Sequence, residues 1–165
     1  MIVVVADAES FGRVADALPD RPVEHATTAA EAPLAGALVV VVDTAAPGAA
    51  DLVADLRDGP RFPPALVVVA RGDLPGELLP ADEVVDGFAP AAVAEAVERA
   101  LLAAEYRRAV DRLYDACADR AEAGTTDPLA ESEELREARR SADEVLAAAA
   151  DRGLLTALLR GRGDE

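Results

Sequence analysis

Three carboxylates close to the ends of apolar segments are the side chains of this sequence that could do chemistry together. Asp7 follows the apolar segment Ile2–Val5, Asp43 follows Leu38–Val42, and Glu9 lies two residues after Asp7. Sites in open α/β sheets form at the carboxyl ends of parallel strands, so neighbouring strands would bring Asp7 and Asp43 together. Two close carboxylates either bind a hard cation such as Mg²⁺ or share one proton. The sequence therefore predicts an acidic pocket of one of these two kinds, with Glu9 as a candidate third oxygen ligand.

The elements that must position these carboxylates are predicted from the apolar pattern. Three segments are continuously apolar and rich in β-branched residues, as is typical of strands buried on both faces of a parallel sheet: Ile2–Val5, Leu38–Val42 and Leu66–Val69. Weaker segments at Val23–Ala26 and Glu83–Val85 supply two further strands. Helical segments lie between them, so the first 104 residues predict an α/β fold with a doubly wound, five-stranded parallel sheet.

The pattern changes at Pro90, which suits a first helical turn. An apolar stripe at near-helical spacing then continues to about residue 123, and Cys117 lies on it and is expected to be buried. Turn-forming residues follow at 124–128, and a second amphipathic helix is predicted from about residue 129 to residue 150. Two helices joined by so short a loop are expected to pack as an antiparallel hairpin, giving domains 1–104 and 105–165.

The composition excludes several classes of function. The formal net charge is −16, and all 16 basic residues are arginine, since the chain has no lysine. This charge argues against direct contact with nucleic acid and against attachment to anionic membranes. No signal peptide or membrane span is predicted, and the single cysteine gives no sign of an oxidising compartment, so we expect a cytoplasmic protein. Excess carboxylate without lysine fits a cytosol of molar salt, and an acidic protein from a GC-rich mesophile is the alternative.

The segment VVVVDTAAPG, Val39–Gly48, resembles the phosphoacceptor strand and loop of two-component receiver domains. In that family an aspartate at the strand end is followed four residues later by proline, as Asp43 is followed by Pro47. The N-terminal segment IVVVADAES resembles the strand that carries the family's acidic pair, with Asp7 at the second acidic position. The resemblance covers residues 1–104, and it implies a flavodoxin-like fold with Asp43 as the phosphoacceptor candidate.

Three positions in the same region depart from the receiver pattern. Ala6 stands where the family has the first acid of the pair. The fourth strand ends in Val69–Arg71 where the family has Ser or Thr, and Asp86 stands at the position of the family's lysine. In the family the hydroxyl and the lysine bind phosphoryl oxygens, whereas a carboxylate at Asp86 would repel a group carrying about −1.5 to −2 charges. Arg71 is a replacement cation displaced by one residue, so the pocket is expected to be degenerate.

The C-terminal part resembles the HalX domain, which follows receivers in regulators of halophilic archaea. The matching segments are AEYRRAVDRLYDACADRAEA, Ala104–Ala123, and PLAESEELREARR, Pro128–Arg140, with leucine at position 135 where the family often has tyrosine. The resemblance implies a regulatory helical domain, and the biochemical activity of that family is poorly defined. The candidate interaction residues of this tail are Tyr106, Leu113, Tyr114 and Leu135.

These observations predict a non-enzymatic signalling module, a degenerate response regulator whose helical tail self-associates or binds a partner protein. The alternative is a working phosphorelay response regulator, phosphorylated on Asp43 by a sensor histidine kinase and acting in transcriptional regulation. An enzyme that uses the acidic pocket with Mg²⁺ ranks last, because Arg71 is the one cation the sequence offers there as a phosphate clamp.

Overall fold

The computed structural model describes residues 1–58, 63–72, 76, 81–122 and 133–151. The chain divides into two compact units, Met1–Ala104 and Glu105–Glu165. The sequence also predicts a short helical segment at Leu74–Leu79, broken by proline, which apart from Gly76 lies outside the described residues.

A parallel sheet is the centre of the first unit. Among the described residues it has five strands: β1 Ile2–Val5, β2 Val23–Ala26, β3 Val39–Asp43, β4 Ala65–Ala70 and β5 Glu83–Asp86. All neighbouring pairs are parallel, and the order across the sheet is β2-β1-β3-β4-β5. The prediction of an α/β fold with a five-stranded parallel sheet is therefore confirmed.

Strand β3 reaches one residue further than its predicted end, and this extension matters for the site. Asp43 pairs with Val69 of β4, and Val42 pairs with Val5 of β1, so the ladder continues to the carboxylate. The amide of Thr44 then donates to the carbonyl of Val69 at 3.1 Å. The carboxyl ends of β1, β3 and β4 consequently meet at one edge of the sheet.

Among the described residues, four α-helices accompany the sheet: α1 Ala8–Ala17, α2 Ala49–Asp58, α3 Pro90–Glu122 and α4 Glu133–Asp151. Helix α1 and the first part of α3 cover one face of the sheet, and α2 covers the other. Both faces are buried, because Val4 and Val41 point into the first core and Val3 and Val40 into the second. Within the described ranges, no helix combines the length and the apolar character needed to cross a bilayer.

The second unit contains the end of α3 and all of α4. Its buried side chains are small: Ala109 on α3, and Ala138, Ala142 and Ala149 on α4. A hydrogen bond of 3.1 Å from the Arg112 guanidinium to the Ser141 hydroxyl joins the two helices. This part of the chain therefore has a thin core of alanines.

Cys117 is exposed, so the prediction that this thiol is buried is wrong. The buried face of this part of α3 is marked by Ala109. Cys117 follows Ala109 by eight residues, which rotates its side chain by about 80° around the helix axis at ~100° per residue. The buried face of α3 in the second unit is therefore not a continuation of the apolar stripe predicted from the first unit. The Cys117 side chain lies on the exposed side of the helix.

The burial of both faces of the sheet predicts that truncating a central valine destabilises the fold much more than truncating an edge valine. Val41 is fully buried in the central strand β3, whereas Val84 in the edge strand β5 is 47% exposed. Shortening Val41 to alanine should lower the free energy of unfolding by about 2–3 kcal/mol, because it removes buried methyl groups and leaves a cavity. The matched control Val84→Ala should cost less than about 1 kcal/mol. Urea unfolding at constant molar KCl measures both, and equal losses would contradict this two-faced core.

Candidate functional site

A single arginine lies between the two carboxylates that the sequence singled out. Asp43 is the last residue of β3, Asp7 lies between β1 and α1, and Arg71 directly follows β4. Arg71 Nη2 lies 2.9 Å from Asp7 Oδ2 and 2.7 Å from Asp43 Oδ2, and it also contacts the Ser10 hydroxyl. The prediction that Asp7 and Asp43 come together is therefore confirmed, but a guanidinium holds the space between them.

Asp43 is the most deeply buried member of this cluster, with a residue exposure of 1%. Its Oδ2 accepts from Arg71, and its Oδ1 accepts from the backbone N–H of Ala45 at 2.9 Å. A buried carboxylate is tolerated only when its charge is compensated and its oxygens are hydrogen-bonded. Both oxygens of Asp43 meet that condition within the protein.

Asp7 has a second task besides its ion pair, because it is the N-cap of α1. Its Oδ1 accepts from the Ser10 backbone N–H at 2.7 Å, which satisfies one of the free amides of the first helical turn. That bond, then the Ser10 hydroxyl and Arg71, hold the pKa of Asp7 below its ordinary value of 3.8. Asp7 therefore remains a carboxylate through the neutral range, with a side chain that is 57% exposed.

Arg71 is held by the sheet edge as well as by the two acids. Partial burial tends to lower the pKa of its guanidinium, but attraction and hydrogen bonding to Asp43, and then to Asp7, raise it overall. Its Cζ lies 5.1 Å from the centre of the Phe88 ring, within the range of a cation–π contact. Its backbone N–H donates to the Thr44 hydroxyl at 3.3 Å. The guanidinium therefore stays charged through the neutral range.

The remaining predicted pocket residues lie around this cluster without joining it. Glu9 pairs with Arg13 at 2.6 Å, one turn along α1, and its side chain is exposed. Ala6 is buried, and its carbonyl contacts His25 Nε2 at 2.9 Å. Asp86 is exposed at the end of β5, and no hydrogen bond within the described residues connects its carboxylate to Arg71.

The oxygens of the cluster can be compared with the needs of a divalent cation. Asp7 and Asp43 direct their Oδ2 atoms at Arg71 Nη2, and Glu9 is paired with Arg13. In the part of the chain that the structure describes, no three His, Cys, Asp or Glu side chains are grouped to hold a metal ion. Mg²⁺ at this site stays a prediction, and the ion would have to compete with Arg71 for the two Oδ2 atoms.

Three residues of the site were missed by the sequence reasoning: Ser10, Thr44 and Phe88. A signal for Ser10 existed, because an aspartate three residues before it and at the start of a helical pattern is a typical N-cap. Thr44 follows the predicted phosphoacceptor directly. Phe88 carries no such signal, since its position over Arg71 depends on how the loop after β5 turns.

An open cleft adjoins the cluster on the side of Phe88. It has a volume of about 180 Å³ and is lined by Glu9, Ser10, Arg13, Arg71, Gly87 and Phe88. The cleft gives one side of the cluster access to solvent. The Arg71 side chain is 43% exposed, whereas the Asp43 side chain is 1% exposed.

The candidate interaction residues of the tail differ in exposure. Tyr114 is 62% exposed, whereas Tyr106, Leu113 and Leu135 are half-buried. Tyr106 and Tyr114 are eight residues apart, a spacing that predicts packing of both rings in a helix seam, and the exposure of Tyr114 contradicts this for its ring. Its aromatic ring is available to another molecule on the described surface of the second unit.

Comparisons with protein-family models, with curated proteins and with solved structures give no match for this chain.

The titration of Asp7 tests the cluster directly. Its pKa should lie below 3.8 in the wild type and rise in Arg71→Gln, yet stay depressed there because the Ser10 N–H bond remains. Carbon-13 NMR of the Asp7 carboxyl against pH measures this. Because the folded pKa is the lower one, the carboxylate stabilises the fold above pH 3.8, and this contribution is lost as pH falls through the folded value. An unchanged titration in Arg71→Gln would show that the ion pair does not form.

Proposed function

We propose that this chain is a non-enzymatic signalling module of the response-regulator kind, with a flavodoxin-like receiver fold whose phosphoacceptor pocket is closed by its own arginine. The strand order β2-β1-β3-β4-β5 supports the fold assignment, because it is the order of flavodoxin-like doubly wound sheets. The pocket lies where such sheets bind ligands, at the carboxyl ends of β1, β3 and β4.

The pairing of Arg71 with buried Asp43 carries the proposal. Phosphoryl transfer to Asp43 needs a free carboxylate oxygen, and here one oxygen is bound to Arg71 and the other to the Ala45 amide. Breaking a fully buried ion pair costs about 3–5 kcal/mol, and somewhat less here because the Arg71 side chain is 43% exposed. A phosphodonor would have to meet this cost before any reaction.

A working phosphorelay regulator is the second candidate, and one observation favours it. The Arg71 guanidinium pairs with Asp43 and also contacts the Ser10 hydroxyl, and both groups can bind phosphoryl oxygens. In that case Arg71 would leave the carboxylate and hold the phosphoryl group, with Mg²⁺ on the acids and a sensor histidine kinase as the donor. The two candidates differ in whether Asp43 accepts a phosphoryl group at all.

Self-association through the helical tail is the output that we propose for the module. We infer that α3 and α4 pack as an antiparallel hairpin of the HalX kind, which the Arg112–Ser141 hydrogen bond supports. A core of alanines buries little apolar area, so such a hairpin gains from covering its open side with a second copy. Tyr114 is the large aromatic side chain offered there.

The closed pocket predicts that the wild-type chain forms no phosphoryl adduct. The chain is incubated with Mg²⁺ and a small acyl phosphate in molar KCl, and its intact mass is measured, with an active receiver domain in the same tube as the positive control. The mass should remain that of the unmodified chain, because Asp43 is paired and buried. A wild-type adduct that is absent from Asp43→Asn would overturn the closed-pocket proposal and establish the phosphorelay candidate.

The proposed output predicts that Tyr114→Ser weakens self-association by about tenfold or more, as loss of a buried interface tyrosine commonly does. Light scattering after size exclusion in molar KCl, over a range of concentrations, measures the mass of the particle. Val84→Ser is the matched control, since Val84 is the other large apolar side chain found exposed in the described residues and lies on the β5 edge. Dissociation by Val84→Ser instead would place the interface on the sheet edge, and a monomeric wild type would remove the proposed output.

A further inference from the structure

We propose that Arg71 is a latch that couples the charge of Asp43 to the loop before α3, through the aromatic ring of Phe88. This inference rests on the proposed function, since it assigns to the Asp43 pocket a way of reporting its state. It concerns the first unit alone, from the end of β4 to the first turn of α3.

The position of the guanidinium is set by the acids. Within the described residues, every side-chain hydrogen bond of Arg71 uses Nη2, and the acceptors are Asp7, Ser10 and Asp43. Nη2 has two N–H groups for these three acceptors, and the Cζ of the same guanidinium lies over the Phe88 ring, 5.1 Å from its centre. Removing the charge of Asp43 takes away the shortest of its two ion pairs and leaves the more exposed one to Asp7.

Phe88 connects the latch to the helix. It lies in the loop between β5 and α3, half-buried, and packs against the core on the side of α1 and α3. The preceding residue, Gly87, has a φ of +70° and donates its N–H to the Ala70 carbonyl at 2.8 Å, next to Arg71. The following residue, Ala89, accepts the Val93 N–H at 3.0 Å in the first turn of α3. A shift of the Phe88 ring therefore acts directly on the start of the helix.

The surrounding charges leave Asp43 as the group that decides the position of Arg71. Asp7 is the N-cap of α1, so its position is set by that helix. Glu9 and Arg13 form an ion pair with each other. Asp86 is exposed on β5. Any modification or partner that neutralises Asp43 would accordingly release the guanidinium toward Asp7 and solvent, and off the Phe88 ring.

The test follows the Phe88 ring by fluorine NMR in the full chain. The chain has three phenylalanines, so incorporation of fluorophenylalanine gives three signals, and Phe88→Leu assigns one of them. We expect Asp43→Asn to shift the Phe88 signal and to speed amide exchange at Val93 severalfold. The control Asp55→Asn, an exposed acid on α2, should leave both unchanged.

The double variant separates a latch from a general disturbance. In an Arg71→Gln background, Asp43→Asn should cause no further shift of the Phe88 signal, because the coupling passes through Arg71. An equal shift with and without Arg71, or no shift in a folded Asp43→Asn chain, would overturn the latch. If Asp43→Asn does not fold, Arg71→Gln alone must shift Phe88 and speed exchange at Val93, and a silent Phe88 in that variant rejects the latch.

The latch and the closed pocket can fail separately. A phosphoryl adduct on wild-type Asp43 together with a Phe88 signal that responds to Asp43→Asn would refute the closed pocket and support the latch. Absence of an adduct together with an unresponsive Phe88 would support the closed pocket and refute the latch.

Discussion

Asp43 is a charged side chain at the buried end of a hydrophobic sheet, and its compensation by Arg71 is the constraint on which the site depends. The strands beside it bring valines to both faces of the sheet, and the Asp43 side chain is almost fully buried next to them. The charge must be met by protein groups at the sheet edge, and β4 delivers the guanidinium that does so. The same guanidinium also contacts Asp7, Ser10 and Phe88.

Much of this fold could be predicted because the sheet is buried on both faces. Segments such as Ile2–Val5 and Leu66–Val69 have no polar alternation, which is typical of a parallel sheet with helices on both sides. The meeting of Asp7 and Asp43 followed from the same geometry, since parallel strands end at one edge. The prediction thus succeeded where backbone topology alone determines which residues become neighbours.

The details of the site could not be predicted, because they depend on side-chain directions at strand ends. Arg71 was expected to lie one residue beyond the position of the replacement cation, but a long, flexible arginine side chain reaches past the end of its own strand to Asp43. Glu9 was expected to be a third oxygen ligand, yet it forms an ion pair with the arginine four residues further along α1. Cys117 was misplaced for a related reason, because burial in the second unit is set by a neighbouring helix and not by the stripe of the first unit.

The closure of the pocket by one side chain has an evolutionary consequence. Arg71 is the one cation that bonds to the Oδ2 atoms of both Asp7 and Asp43 among the described residues. A single missense change at that codon would leave Asp7 and Asp43 facing each other without their counter-ion. One amino-acid change is therefore enough to turn a charge-compensated cluster into a pair of carboxylates that would attract a cation.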